Sequence, residues 1–338
     1  MKGAPRGMSH IAETCILHIG VPKTGSTALQ QSLHAGHAAL LARGVLYPAQ
    51  MANHKFIVSA MMDDPGRFDI HRLAGRPPQA VVAWNDRQMQ AFAAAQDAAR
   101  PRALLLSSEH CLLLKPAELA RLHDHLTGIA RTVRVLAYVR HPLAHARSRI
   151  QESVKNGVKT LEQALARPLR LEFDSAIEDF ATAFGRENVS VRAFPGDRGG
   201  DVVADFLGWI GLGDLDLPVQ RSNESLSHPA LLLADALTGI APRFSPQRAA
   251  RIAPLLARIR GPKVALPPGM PPMNAAKVAV YLAYFDKTWG VTLDPPPDSA
   301  APAAAFTDET VRALAELLNE MALELEQRET PKDKGRKP

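Results

Sequence analysis

Residues 15–27 read Cys-Ile-Leu-His-Ile-Gly-Val-Pro-Lys-Thr-Gly-Ser-Thr, and no other stretch constrains the fold as tightly. An apolar run over 15–19 ends at Gly20. A glycine-containing turn follows. An amphipathic stretch then begins at Ser26, with Leu29, Leu33, Gly36 and Leu40 at helical spacing. Strand, tight loop and helix N-terminus in succession form an arrangement in which backbone N–H groups and the helix dipole gather around a phosphate. A strand that is apolar throughout belongs inside a parallel sheet covered on both faces. The stretch therefore predicts both an anion site and an α/β architecture.

The rest of the chain repeats the pattern. Apolar runs at 103–107, 133–139 and 189–194 read as further strands, and 44–48 as a short extended piece. Helical patterns fall at 26–43, 85–100, from Pro116 onward, at 173–184 and at 201–210. Alternating strands and helices mean βαβ units and a central parallel sheet flanked by helices. Beyond residue 229 the chain reads as mainly helical: 229–240, 246–260, 274–287 and 308–327. Thr307 is the expected N-cap of the last helix, with Phe306 and Val311 as its hydrophobic staple. Residues 51–83 have no sustained period, which predicts a long irregular segment beside the loop, a substrate-binding insert. The expected organisation is a flexible leader over 1–14, a single α/β domain over 15–328 with a helical subregion over 229–328, and a disordered basic tail over 329–338.

Formal net charge is +6 over 338 residues. The tail contributes +2 of this, four Lys or Arg against Glu329 and Asp333, which leaves +4 for the remainder. A balance that modest suits an anionic small ligand and does not call for nucleic acid. The two cysteines, Cys15 and Cys111, lie at the edges of apolar runs and read as buried thiols in a reducing compartment. No Cys/His spacing matches a zinc site. No stretch reaches membrane-spanning length, and the early apolar run is too short for a signal peptide. These features lead to the expectation of a cytoplasmic protein without a membrane span. They leave its oligomeric state unknown.

The loop departs from the nucleotide-triphosphate pattern G-x-x-x-x-G-K-[ST]. Gly20 and Gly25 keep the glycine spacing, but Ser26 stands where the lysine would be and Thr27 is the hydroxyl residue. The lysine has moved to Lys23. From there it approaches the terminal group or bridging oxygen of a 5′-phosphate derivative rather than a β/γ-phosphate pair. The strand at 103–107 leads into Ser107-Ser108-Glu109, and no strand ends in an aspartate placed to hold Mg²⁺.

Pro22-Lys23-Thr24-Gly25-Ser26-Thr27 resembles the 5′-phosphosulfate loop P-K-[ST]-G-[ST]-[ST] of the sulfotransferases that use 3′-phosphoadenosine 5′-phosphosulfate (PAPS). A second motif of that family is a strand ending in arginine, with a serine eight residues later on the next helix. Arg140 and Ser148 after 133–139 match it. A weaker resemblance extends to about residue 227, through 189–194, 201–212 and Arg221-Ser222-Asn223, and the overall spacing is most similar to bacterial members acting on glycans or small molecules. The resemblance implies a sulfotransferase of P-loop-like fold. The donor would be PAPS, the product 3′,5′-ADP and the acceptor a hydroxyl or amine on a carbohydrate or small molecule, with no metal required. It also implies a catalytic base near the end of the second strand, where Glu109 and His110 stand. Because adjacent residues of an extended strand face opposite ways, only one of them is expected to face the site, with Glu109 preferred. His54 and Lys55, in the insert, are candidate acceptor contacts. Arg147, Arg149 and Lys155 read as a solvated basic face or as further anion contacts. The competing readings are a P-loop kinase with a displaced lysine and a non-catalytic nucleotide-binding protein.

Overall fold

The computed structural model describes residues 11–166, 173–218, 226–240, 246–262, 264 and 273–296, and scattered positions between 311 and 323. Half of the helix expected over 308–327, with Phe306 and Thr307, lies outside the described residues. So do Arg221, Ser222, Asn223 and the tail after 328. In chain order the elements begin with β1 (Ala12–His18), α1 (Ser26–Ala35), α2 (His37–Ala42), β2 (Val45–Leu46), α3 (Lys55–Met61), α4 (Asp69–Arg72) and α5 (Pro78–Ala99). There follow β3 (Ala103–Ser107), α6 (Pro116–Ile129), β4 (Ala130–Val139), α7 (Pro142–Lys155), α8 (Leu161–Leu165), α9 (Phe173–Phe184), β5 (Val189–Ala193) and α10 (Val202–Trp209). The series closes with α11 (His228–Ile240), α12 (Pro246–Arg258) and α13 (Ala275–Trp289).

The chain divides into two compact units. The first comprises Met1–Arg140, Leu171–Asn223 and Ala279–Asp294. It holds a five-stranded sheet in the order β2-β3-β1-β4-β5, with every pairing parallel. Alternate residues of the central strands feed two cores, as a covered parallel sheet requires. On one face Cys15, Leu17, Leu104, Leu106, Val135 and Val139 pack with residues of α3, α5, α6 and α9. On the other face Ile16, Leu105, Leu136 and Tyr138 pack with Leu29 and Leu33 of α1, Leu40 of α2 and Phe206 of α10. The α/β architecture expected from the sequence is the one observed. Both cysteines are free and fully buried, and burial raises the Cys15 thiol to about 12.

The second unit comprises His141–Arg170, Glu224–Val278 and Pro295–Pro338. Its described elements are helical, and Ile150, Val154, Leu231, Leu237, Ile252 and Leu256 form its core. The helices expected at 229–240 and 246–260 are α11 and α12. None of the described helices is long and apolar enough to cross a membrane.

Three expectations are corrected. The leader ends earlier than residue 14, because β1 begins at Ala12, where Ala12 and Thr14 pair with Ala130 and Thr132 of β4. The helix expected over 26–43 is two helices, broken at Gly36. A Cβ at Gly36 would lie 2.5 Å from Leu217 Cδ2, so Leu217 packs close against the break and would have to shift for a larger residue. The segment 51–83 is not irregular: it contains α3, a 3-10 turn at Pro65–Arg67, α4 and the start of α5. These helices bury Phe56, Ile57, Val58 and His71. The first of α3 and α4 spans seven residues and the second four, too few for a helical period to register.

Candidate active site

The site is built at the carboxyl ends of β1, β3 and β4, where ligands bind in open parallel sheets. Sheet pairing continues past β1 into the loop. Ile19 N–H donates to Leu136 O (3.0 Å) and Val21 N–H to Tyr138 O (2.8 Å), while Tyr138 N–H donates to Gly20 O (2.6 Å). The loop is thereby fixed to β4 before it turns. Lys23 then takes φ +69 and Gly25 φ +76, both left-handed. Alternation of backbone handedness turns successive N–H groups into one concavity. Thr24 is fully buried and its hydroxyl donates to Val21 O at 2.6 Å, which closes the turn from inside. Gly25 is the N-cap of α1, which has neither a side-chain cap nor an acidic residue in its first turn. That helix end presents positive potential without a built-in carboxylate to neutralise it. Pro22 and Lys23 are half-buried, Ser26 is buried and Thr27 is exposed.

Gly20 brings the loop against the base candidates. Its φ is +94, and a Cβ there would lie 2.8 Å from Glu109 Cβ. Glu109 opens a 3-10 turn, Glu109–Leu113, directly after β3. The strand has already ended, so the opposite-faces expectation for Glu109 and His110 does not hold. Both are partly exposed, and Glu109 Oε1 lies 3.7 Å from His110 Nδ1. Burial lowers the His110 pKa, against the opposing pull of Glu109. Phe68 meets the His110 ring edge-on at 5.4 Å, and the charge of Lys55 also acts on that ring.

Sequence reasoning did not find the group that holds Glu109. Gln30, buried on α1, donates from Nε2 to Glu109 Oε2 (2.7 Å) and to Ser107 Oγ (3.2 Å). Ser107 Oγ in turn lies 2.8 Å from His18 Nδ1. Gln30 stands four residues after Ser26, a polar interruption of the apolar stripe Leu29–Leu33, and that interruption was the available signal.

His54 does not fit the role of an acceptor contact. It is fully buried; its Nδ1 accepts from Ser107 N–H (2.9 Å) and its Nε2 donates to Pro48 O (3.0 Å). Both nitrogens serve backbone groups, and burial holds its pKa down to about 4. His54 is a neutral strut that fixes the end of β3. Lys55, next to it, is half-buried at the start of α3.

Arg140 follows β4 and is 13% exposed. Its Nη1 donates to the carbonyl of Lys23 at 2.8 Å, across 117 residues of sequence. Its Nε and Nη2 donate to the two carboxylate oxygens of Asp197, the first at 3.1 Å. Phe194 lies under the guanidinium, 5.1 Å from its carbon, and Phe194 also packs against Gly25. The first unit thus brings together Lys23, Gly25, Glu109, His110 and Arg140. Ser148 is not among them: it lies half-buried on α7, in the second unit, as do Arg147 and Lys155, while Arg149 on the same helix is exposed.

No protein-family profile and no curated protein matches the chain. Two solved structures are similar. One is the sulfotransferase domain from the curacin biosynthetic pathway, 14% identical, with a TM-score of 0.37 and coverage of 85% of this chain and 100% of that one. The other is the sulfotransferase domain from the Synechococcus PCC 7002 olefin synthase, 15% identical, with a TM-score of 0.33 and coverage of 77% and 100%. At these scores the likeness carries no argument, and the chemistry rests on the residues themselves.

Proposed function

We propose that this protein is a PAPS-dependent sulfotransferase that moves a sulfuryl group to a hydroxyl or amine of a carbohydrate or small molecule and releases 3′,5′-ADP. The observation that carries the reading is the 2.8 Å bond from Arg140 Nη1 to the carbonyl of Lys23. It joins two motifs that the sequence keeps far apart, one suited to each charged end of a nucleotide with a 5′-phosphosulfate and a 3′-phosphate. The left-handed glycines and the side-chain-free cap of α1 fit the 5′ group, since a Cβ at either glycine would crowd the loop's neighbours.

In this reading Pro22, Lys23, Thr24, Gly25, Ser26 and Thr27 form the 5′-phosphosulfate cradle. Arg140 takes the 3′-phosphate, with Ser148 assigned to the same group from its spacing. The sulfur–oxygen bond to the bridging oxygen breaks as the bond to the acceptor forms, and Lys23 stabilises the charge that develops on the leaving oxygen. Glu109 accepts the acceptor's proton, its carboxylate held by Gln30 on the same helix whose N-terminus faces the donor. His110, beside it, is the alternative base. The test is calorimetry with 3′,5′-ADP, 5′-AMP and Mg-ATP. The expected result is Mg²⁺-independent binding of 3′,5′-ADP, about tenfold or more tighter than 5′-AMP, for a charge-assisted fork on the extra phosphate. Preference for Mg-ATP would replace this reading with a kinase.

A further inference from the structure

Arg140 has a partner that the proposed function leaves unexplained. Asp197 lies on the 3-10 turn Pro195–Arg198, just after β5. Its two oxygens take Nε and Nη2 of Arg140, the side-on fork that a phosphate would also use. The two side chains are 13% and 20% exposed, so solvent screens the pair incompletely.

Arg140 has two holds besides Asp197. The Lys23 carbonyl holds Nη1 and the Phe194 ring lies under the guanidinium plane. Asp197 sits on a glycine-rich turn that is packed on one side, where a Cβ at Gly196 would lie 2.4 Å from the Phe194 ring, and open on the other. Gly196 precedes it, and Gly199 (φ +78) and Gly200 end the turn. A side chain at Gly199 would meet nothing within 4 Å. The neighbouring Arg198–Asp294 ion pair is 62% and 58% exposed, a weak tether.

We infer that Asp197 is an internal competitor for the Arg140 fork, displaced when the 3′-phosphate of the nucleotide binds and returning when 3′,5′-ADP leaves. The inference rests on the assignment of Arg140 to the 3′-phosphate. A phosphate monoester carries nearly two negative charges on three oxygens, against one charge on two oxygens for the carboxylate. It can therefore displace Asp197, whereas a ribose 3′-hydroxyl cannot. Nucleotides without the 3′-phosphate leave the Arg140–Asp197 pair closed. Those with it bind against a fixed opposing cost, and the returning carboxylate favours product release.

The test is calorimetry and stopped-flow dissociation of 3′,5′-ADP and 5′-AMP with the parent, Asp197→Asn and Asp197→Ala, each first checked for cooperative thermal unfolding. Asp197→Asn is nearly isosteric and decides the matter if the alanine variant does not fold. Removal of the charge is expected to tighten 3′,5′-ADP binding about tenfold, mostly through slower dissociation, and to change 5′-AMP affinity by no more than about twofold. Unchanged or weaker 3′,5′-ADP binding, in a protein that still prefers it to 5′-AMP, would overturn the inference and make Asp197 a support for Arg140. If neither parent nor variants distinguish the two nucleotides, Arg140 is not the 3′-phosphate site, and the donor assignment falls together with this inference.

Discussion

The loop over residues 20–27 and the segment over residues 51–77 both interrupt the strand–helix alternation of the first unit, and they are built on opposite terms. The loop is made of backbone: its shape comes from left-handed residues, sheet hydrogen bonds carried beyond β1 and a buried threonine hydroxyl. The segment is made of side chains: Phe56, Ile57 and Val58 are fully buried and Phe56 meets Phe92 at 5.4 Å between ring centroids. A structure made by glycines and a proline is written in the local sequence. One made by tertiary packing is not, because its short helices hold together only through what they bury.

The contrast can be broken from either side. The largest effect belongs to the packed segment: Phe56→Ala should cost about 3–5 kcal/mol of stability, as expected for an aromatic deleted from a closed core, measured by denaturant unfolding. Its 3′,5′-ADP affinity should stay within about twofold of the parent at temperatures where it is folded. A fall in donor affinity comparable to the loss of stability would show that the two regions are not separable. Gly20→Ala reverses the pattern. Its φ of +94 and the 2.8 Å approach to Glu109 Cβ should cost about 2–3 kcal/mol and, unlike Phe56→Ala, weaken 3′,5′-ADP binding by about tenfold or more. Parent-like affinity would mean that the loop tolerates a change of backbone shape, against the account given for it.

A smaller effect sharpens the boundary between the regions, because His54 belongs to the segment by sequence yet supports β3. Its pKa is about 4 in the folded protein and about 6.5 when unfolded. On acidification the unfolded chain takes up the proton first, so the stability that the neutral ring contributes is present above pH 6.5 and is lost as the pH falls toward 4. Between pH 7.5 and pH 5 this amounts to about 2 kcal/mol for His54. His18, also buried and lowered to about 4, adds in the same direction. Unfolding measured at both pH values should give a shallower dependence for His54→Gln than for the parent, and equal slopes would remove His54 as a neutral strut.

The same contrast accounts for what the sequence made legible. The residues 103–107 form β3 as read, because a continuous apolar run between polar neighbours has few other solutions. The loop after β1 was legible because Pro22 fixes its own φ, and Gly20 and Gly25 permit the left-handed turns that other residues resist. The start of β1 was missed because Glu13 is exposed and the strand there alternates instead of running apolar. At the base, the sequence places Glu109 and His110 correctly after β3 but gives no sign that the chain curls into a 3-10 turn. Gln30 left a faint mark, one polar residue on an apolar helix face. Asp197 left none: an aspartate in a Pro-Gly-Asp turn is ordinary, and only the fold brings it to Arg140.

Lys23 carries a φ of +69. A β-carbon in that conformation crowds the adjacent carbonyl, at a cost of roughly 1–2 kcal/mol that glycine does not incur. The backbone at this position would therefore be more comfortable with the simplest residue available. The chain instead keeps one of the longest side chains there, and fixes the strained unit in place by hanging Arg140 on its carbonyl. Selection for stability alone would remove this lysine, so in the proposed function position 23 is where a stabilised variant would be expected to lose activity first.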